Sequence, residues 1–315
     1  MRKFRLQGTL AMSAAALLLV SACGTGSTND SEGVSGEVAV DGSSTVYPMS
    51  NTAAEMLAEV NPNIQVSVGF SGTGGGFKAF CEEARTDISD ASRPIKDEEA
   101  ALCDEQNIEY TELLVATDAL TVVVHPELDV QCLTVDQVKR VFGPDNSVNN
   151  WKELDPTFPD VPIVGFMPGT DSGTYDYMNS DVVKSEMEIL REDFETSEDD
   201  NVLVQGVSGT KGGVGFFGYS YYEENAGSLK ALEIDNGSGC VAPSAETAQS
   251  GDYSPLARPL FIYLNNASYA ENAAVKEYVD FYIENLAEIA QIAQFIPLND
   301  SDYAKTVAAV EALGN

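Results

Sequence analysis

Residues 169–178, Gly169-Thr-Asp-Ser-Gly-Thr-Tyr-Asp-Tyr-Met178, combine the residue types that can hold an oxyanion without a metal ion. Pro168 and Gly169 interrupt what precedes them. Thr170, Asp171 and Ser172 are helix-capping types placed ahead of a run through Tyr175 and Met178. A helix start presents unpaired N–H groups and a partial positive charge. Ser172 and Thr174 add hydroxyls there, and Gly173 lets a ligand approach the main chain closely. Alone, such a segment reads equally well as an ordinary capped helix.

The chain contains two more of the same kind. In Asp41-Gly-Ser-Ser-Thr-Val46, Ser44 and Thr45 stand before a helix expected over 47–60, whose apolar residues Val46, Met49, Ala53, Met56, Leu57 and Val60 follow a helical period. In Ser71-Gly-Thr-Gly-Gly-Gly76, Ser71 opens a glycine-rich turn before a helix expected at 77–81. Arg93, between Ser92 and Pro94, could clamp an oxyanion with its planar guanidinium, or be a surface arginine in a chain with few cations.

Other chemistries fit less well. The glycine-rich turn lacks the Gly-Lys-Ser/Thr ending of a Walker loop, and Gly213-Val-Gly-Phe-Phe-Gly218 matches GxGxxG by chance, with no helical pattern after it. His125 is the only histidine and reads as an exposed strand end; no GxSxG elbow exists. Neither metal nor cofactor is expected, because no CxxC or histidine cluster is present.

Arg2, Lys3 and Arg5, an apolar run over 10–20 and Val20-Ser-Ala-Cys23 describe a secretory signal over 1–22. The small, polar residues that follow, 23–36, read as a flexible tether. About 280 residues remain, enough for one large domain or two lobes. Of 17 basic residues three precede Cys23, whereas all 50 acids follow it, so the chain from Cys23 onward carries −36. Such a surface argues against nucleic acid and anionic lipid as partners. It does not preclude a local anion site, since charges beyond roughly 10 Å are screened at about 0.1 M salt. Cys81, Cys103, Cys132 and Cys240 suggest two disulfides in an oxidising compartment. Of three pairings, Cys81–Cys103 is favoured because the two flank a single segment, which leaves Cys132–Cys240.

The elements alternate between strand and helix, which predicts an α/β fold with a largely parallel sheet. Residues 113–124 and 259–264 read as strands crossing between two lobes, with the site in the cleft at the strand ends. The pattern also predicts an irregular loop over 151–162, an acidic helix over 181–197, a loop leading to an aromatic strand over 202–222, and helices at 273–286 and near the C-terminus.

Asp41-Gly-Ser-Ser-Thr-Val46, Ser71-Gly-Thr-Gly-Gly-Gly-Phe77, Asp87-Ile-Ser-Asp-Ala-Ser-Arg-Pro94, Gly169-Thr-Asp-Ser-Gly-Thr174 and Arg258-Pro-Leu-Phe-Ile262 together resemble the phosphate-binding lipoproteins of phosphate ABC importers, the PstS or SphX type. Order and spacing agree over almost the whole chain after the signal. The Val-Ser-Ala-Cys ending is similar to a bacterial lipobox, which implies lipidation of Cys23 and attachment to the cell membrane, facing a periplasm or the cell surface. The resemblance implies a type II periplasmic-binding-protein fold: two mixed sheets flanked by helices and joined by two crossover strands, with lobe 1 formed by 37–115 and 260–315 and lobe 2 by 116–259. It further implies a monomer that closes on inorganic phosphate and delivers it to a membrane permease. By motif, Thr45, Ser71, Ser172, Gly173 and Thr174 would bind the anion, with Ser44 beside them and Ser92 a further candidate. Well-known members have an arginine a few residues before the Ser-Gly-Thr and an aspartate just after the Ala-Ser. Here Pro168 or Gly169 and Arg93 stand in those places, so Arg93 would supply the cation. Asp90 or Asp171 would supply the carboxylate that favours protonated phosphate. A receptor for sulfate or molybdate, or a surface phosphatase, is the alternative.

Overall fold

The structure is a computed structural model that describes residues 33–145, 148–170, 172–184, 187, 189–197 and 199–314. Among these residues the chain runs β1 (Gly36–Gly42), α1 (Tyr47–Val60), β2 (Ile64–Val68), α2 (Thr73–Phe77), β3 (Ile88–Ala91), α3 (Asp97–Glu105) and β4 (Tyr110–Val124). It continues through β5 (Cys132–Thr134), α4 (Val135–Phe142), α5 (Trp151–Leu154), β6 (Val164–Met167), α6 (Gly173–Tyr177), β7 (Glu195–Thr196), α7 (Asp200–Gly209), β8 (Gly213–Gly218) and α8 (Tyr219–Asn225). The last part comprises β9 (Lys230–Ala231), β10 (Glu233–Asp235), β11 (Cys240–Val241), α9 (Ala245–Ser250), β12 (Ala257–Asn265), α10 (Asn266–Glu271), α11 (Ala273–Glu284), α12 (Leu286–Ile292) and α13 (Asp300–Leu313). A π-helical turn extends α2 over Lys78–Glu82, and another extends α6 over Met178–Val183.

β4 organises the sheet. Nine of its first ten residues pair antiparallel with β12, the register skipping Val115, and its last five pair with β8, so one 15-residue strand serves two halves. The strand order is β2-β1-β3-β12-β4-β8-β6-β7, with β9 also on β4, and β11-β10-β5 form a separate small sheet. The two expected mixed sheets are therefore halves of one curled sheet that share β4, and both expected crossover strands are present. Parallel pairs β1–β2, β1–β3 and β6–β8 lie on either side of the antiparallel β12–β4–β8 centre.

Two separate cores follow from this arrangement. One gathers Val38, Val40, Met49, Leu57, Leu113, Ile262 and Tyr278. The other gathers Leu120, Val122, Trp151, Phe142, Phe216 and Leu256. Each β4 residue from 115 to 124 is buried, which is why that run reads as apolar and β-branched sequence with Asp118 its one charged residue. Cys81–Cys103, buried in a smaller cluster with Phe77, Phe80 and Tyr263, ties the π turn after α2 to α3, and Cys132–Cys240 ties β5 to β11.

Several expectations are corrected. No helix spans 181–197 among the described residues: Lys184 takes φ +55 at the C-cap of the π turn, and Glu195–Thr196 pairs with β6. Left-handed backbone stops a helix that acidic composition alone does not. Part of the loop expected over 202–222 is helix α7, begun by the Asp199 carboxylate accepting from the Asn201 N–H. The one-turn α5 sits within the irregular 151–162 stretch, capped by Asn150. A helix, α8, does follow Gly213–Gly218, but those glycines are inside a buried strand; a Cβ on Gly215 would lie 2.5 Å from the Phe166 carbonyl oxygen, so they cradle nothing. Gly36, read as tether, pairs with Ile64, and Val34 packs on the first core. The signal and Cys23 lie outside the described residues.

Gly42 has φ +146, and a Cβ there would lie 2.1 Å from the Asp90 carbonyl oxygen and 2.8 Å from its nitrogen. Backbone, not a flexible side chain, blocks the space. Gly42→Ala is expected to cost several kcal/mol, well above the ~1 kcal/mol typical of point mutants. Chemical denaturation of the two proteins checks this; an equal midpoint would show the turn to be freely adaptable.

Candidate functional site

The loops after β1, β2, β3 and β6 meet at the carboxyl ends of their strands, where open α/β sheets bind ligands. Asp41 organises the first two. Its Oδ1 accepts from the N–H of Gly42 at 2.9 Å and from that of Ser71 at 3.0 Å. The third loop is stitched on by the Ser43 N–H, which donates to the Asp90 carbonyl, and by Thr73 Oγ1, which accepts from the Ser92 N–H at 3.3 Å. The fourth comes from the other core: Ser172 caps α6 by accepting from the Thr174 N–H, and Gly173 lies against Thr45.

Two adjoining cavities occupy the space between. The smaller, about 240 Å³, is walled by Ser43, Ser44, Thr45, Gly72, Thr73, Ser92, Arg93, Asp176, Tyr177, Ser180, Asp181 and Arg258. The larger, about 390 Å³, shares Ser44, Thr45 and Asp176 and adds Gly173, Thr174 and Asp118. Of the sequence-derived residues, Ser44, Thr45, Ser92, Arg93, Gly173 and Thr174 are thus brought together, with Ser172 next in sequence to two of them. Ser71 is exposed at the rim, where Gly72 and Thr73 form the wall in its place. Asp171 lies outside the described residues.

The start of α1 differs from the expected cap. Val46 occupies the N-cap position with helical torsions and no side-chain cap, because Val46 and Tyr47 already donate to the Ser43 carbonyl. Among the described residues the backbone N–H groups of Ser44 and Thr45 have no protein acceptor, and both residues line the two cavities. The Thr45 hydroxyl is taken by a cation instead.

That cation is Arg258, which sequence reasoning did not assign to the site although it opens the Arg-Pro-Leu-Phe-Ile motif. Its Nη2 donates to Thr45 Oγ1 at 2.8 Å, Nη1 to Asp181 Oδ2 at 3.0 Å and Nε to Asp118 Oδ2 at 3.3 Å. Its guanidinium carbon lies 3.6 Å from the centre of the Tyr177 ring, itself held by a hydrogen bond to the Pro255 carbonyl. Arg93 also lines the smaller cavity, but it makes a bidentate pair with Glu99 at 2.7 and 2.8 Å. Although burial pushes the Glu99 carboxyl up, the hydrogen bonds from Arg93 win and hold it below the usual range.

The acids are graded. Burial raises Asp118 even though Arg258 opposes the shift, and burial raises Asp176 in the same way. Both are carboxylates at the cavity wall that could accept a hydrogen bond from a protonated oxyanion. Asp90, a sequence-derived candidate for that role, is fully buried on β3 and outside both cavity linings. Its Oδ1 accepts from Ser50 Oγ at 2.9 Å while Oδ2 has no partner among the described residues. Burial, less a contribution from the Ser50 hydrogen bond and with help from Asp41, pushes it up to about 8.

The family model described as PBP superfamily domain matches residues 27–285. Protein SphX of Synechococcus elongatus is 48% identical over 269 residues, covering 84% of this chain and 79% of that one. The phosphate-binding protein PstS of Staphylococcus saprophyticus is 38% identical, covering 97% of this chain and 93% of its own. A crystal structure of a possible phosphate binding protein from Planctomyces limnophilus superposes with a TM-score of 0.85 at 39% identity, over 90% of this chain and all of that one.

Two variants probe the electrostatics. Arg258→Met strands Asp118, whose side chain is only 8% exposed, so a loss of about 3 kcal/mol is expected at pH 8 and a smaller one at pH 5, where Asp118 can take up a proton. Denaturation at both pH values tests this; equal losses would show that Asp118 is not the cause. Asp90 titrates higher in the folded chain than in the unfolded one, so its contribution is complete below about pH 4 and is lost as pH rises to about 8. Asp90→Asn should therefore flatten the fall in stability across that window by about one proton, read from unfolding midpoints at stepped pH; an unchanged slope would refute the assignment. From its match to the PBP superfamily domain and its identity to SphX and PstS proteins over most of its length, the chain belongs to the SphX and PstS family of that superfamily.

Proposed function

We propose that this chain is a receptor for inorganic phosphate that captures the ion in the cleft between two lobes and passes it to the permease of an ABC-type phosphate importer. The observation that carries this reading is the convergence of four strand-end loops, from both cores, on unpaired N–H groups, hydroxyls and one partly buried guanidinium. The N–H groups of Ser44 and Thr45, with Gly173 and Thr174 opposite, suit the phosphate oxygens at close range. Ser172, Ser92 and Thr73 supply further hydroxyls from the surrounding loops. Arg258 and Arg93 balance the anion's charge, each held by acids that keep it oriented when the site is empty.

Asp118, Asp176 and Asp181 stand beside these donors, and they supply the selectivity. A carboxylate can accept a hydrogen bond from a protonated phosphate but repels fully ionised sulfate. This favours phosphate over sulfate or molybdate. Binding rather than catalysis is the proposed role, as the printed names of the SphX and PstS relatives suggest for those proteins.

Lobe 1 comprises 37–115 with 260–315 and lobe 2 comprises 116–259. Cys23, freed by removal of residues 1–22, carries the lipid that holds a monomeric receptor at the outer face of the cell membrane, with 24–33 as the tether. No helix among the described residues is long and apolar enough to cross a membrane.

Calorimetric titration with phosphate, repeated in excess sulfate, tests the function. Saturable heat that survives sulfate is expected, and Thr45→Val and Ser172→Ala should each weaken binding by about tenfold, ~1.4 kcal/mol. Sulfate binding without phosphate binding would overturn the reading, as would hydrolysis of a phosphate ester that depends on Ser172.

A further inference from the structure

Asp90 is fully buried and takes no part in either cavity wall, yet it holds the anion cradle from two directions. Its carbonyl accepts from the Ser43 N–H at 2.9 Å. Its side chain reaches the same residue by a longer route. Asp90 Oδ1 accepts from Ser50 Oγ at 2.9 Å, the Ser50 N–H donates to the Val46 carbonyl at 3.3 Å, and the Val46 N–H donates to the Ser43 carbonyl at 3.1 Å. Ser43 is therefore gripped at both its N–H and its carbonyl by a ring of hydrogen bonds that closes on one aspartate. Ser44 and Thr45, which follow Ser43 directly, line both cavities.

The second carboxyl oxygen, Oδ2, is buried with no hydrogen-bond partner among the described residues, and so is the hydroxyl of Tyr282. A neutral carboxyl tolerates such a pocket far better than a carboxylate does. The groups that face Asp90 are acidic or neutral: Asp41 from β1, Tyr278 and Tyr282 from α11, and Ser50 from α1, with Ile262 opposite on β12. Tyr263 of β12 packs against Phe77 instead, and α2 carries no ionisable residue. The cations of the surrounding elements are engaged elsewhere, Lys78 and Arg85 with Glu83, Lys276 with Asp280, and Arg258 with Asp118 and Asp181. Burial, opposed by the Ser50 hydrogen bond and helped by Asp41, brings the titration of Asp90 to about 8.

We propose that Asp90 is a positioning residue whose ionisation loosens the anion cradle, so that phosphate is held more tightly while Asp90 carries its proton. A carboxylate at that place must draw in water or turn toward a donor, and either movement pulls on Ser50 and, through Val46, on Ser43. Its charge also opposes the bound dianion through protein of low dielectric, where salt screens little. Linkage fixes the sign: if ionised Asp90 weakens phosphate, bound phosphate makes Asp90 harder to ionise by the same factor. Full affinity is therefore kept well below about pH 8 and is lost as pH rises through that value. The inference rests on the phosphate reading above, since it assigns Asp90 to the cradle that phosphate fills.

The test titrates the full chain and Asp90→Asn with inorganic phosphate at stepped pH between about 6 and 10. The ratio of the two affinities at each step cancels the titration of phosphate itself. The proteins are expected to agree within about twofold at pH 6, and Asp90→Asn to bind about fivefold tighter at pH 9. Ser50→Ala removes the hydrogen bond that favours the charged form, so its own loss of affinity should begin at higher pH than in the native chain. A ratio that stays constant with pH overturns the inference and leaves the phosphate reading intact, as does a folded Asp90→Asn that binds phosphate at no pH. If Asp90→Asn does not fold, the native chain and Ser50→Ala decide, and an equal onset of the loss overturns the inference. Failure of the native chain to bind phosphate at every pH would overturn both readings.

Discussion

The position of Arg258 constrains everything around it. A guanidinium with 12% of its side chain exposed must find acceptors for its donors, and here they come from three places. Thr45 belongs to the loop before α1, Asp118 to the central strand, Asp181 and Tyr177 to the helical segment of the opposite core. Only a residue at the start of β12, where the chain passes from one core to the other, can reach all of them. Such an arrangement contributes little net stability, because desolvating the charges offsets most of their attraction. What it provides is position: the Thr45 hydroxyl, the acid at 118 and the π turn after α6 cannot move independently of the guanidinium.

A second layer of constraint lies beneath the loops. Asp41 accepts from two main-chain N–H groups in different loops, and Gly42 packs directly on the backbone of Asp90. The side chain of Asp90 then turns inward to Ser50 on α1, in a pocket shared with Tyr278, whose hydroxyl donates to the Ser50 carbonyl. Three loops of low sequence complexity thus acquire one fixed arrangement through two aspartates and one glycine. An anion site can exist in so acidic a chain because these contacts operate at about 3 Å, whereas the surface charge is spread over distances that salt screens.

Much of this was legible in the sequence. The period of α1, the long apolar run of β4 and the capping residue Ser172 report local physics directly, and the structure places those elements where the patterns put them. Other features depend on contacts that spacing does not encode. Arg93 and Arg258 look alike in one dimension; a glutamate six residues on engages the first, while the partners of the second are 77 to 213 residues away. Asp90 lies within a recognisable motif, but which way a strand side chain points depends on the sheet around it. Asp118 did carry a signal, as a lone acid inside a buried apolar strand, where an unpaired charge would be costly. The described residues of 181–197 show the converse: composition favours helix, yet one left-handed residue at Lys184 and a two-residue pairing with β6 decide otherwise.

Both disulfides close loops inside a single half of the molecule, Cys81–Cys103 around α3 and Cys132–Cys240 around the small sheet. The chain passes between the halves only through β4 and the start of β12. In its covalent topology the protein is therefore two cross-linked rafts joined by a pair of adjacent ribbons. Each raft can be oxidised, and made resistant to proteolysis, without restricting how the ribbons twist. Rotation of one raft about the other needs only small torsional changes shared between two neighbouring strands, and no sulfur bridge opposes it.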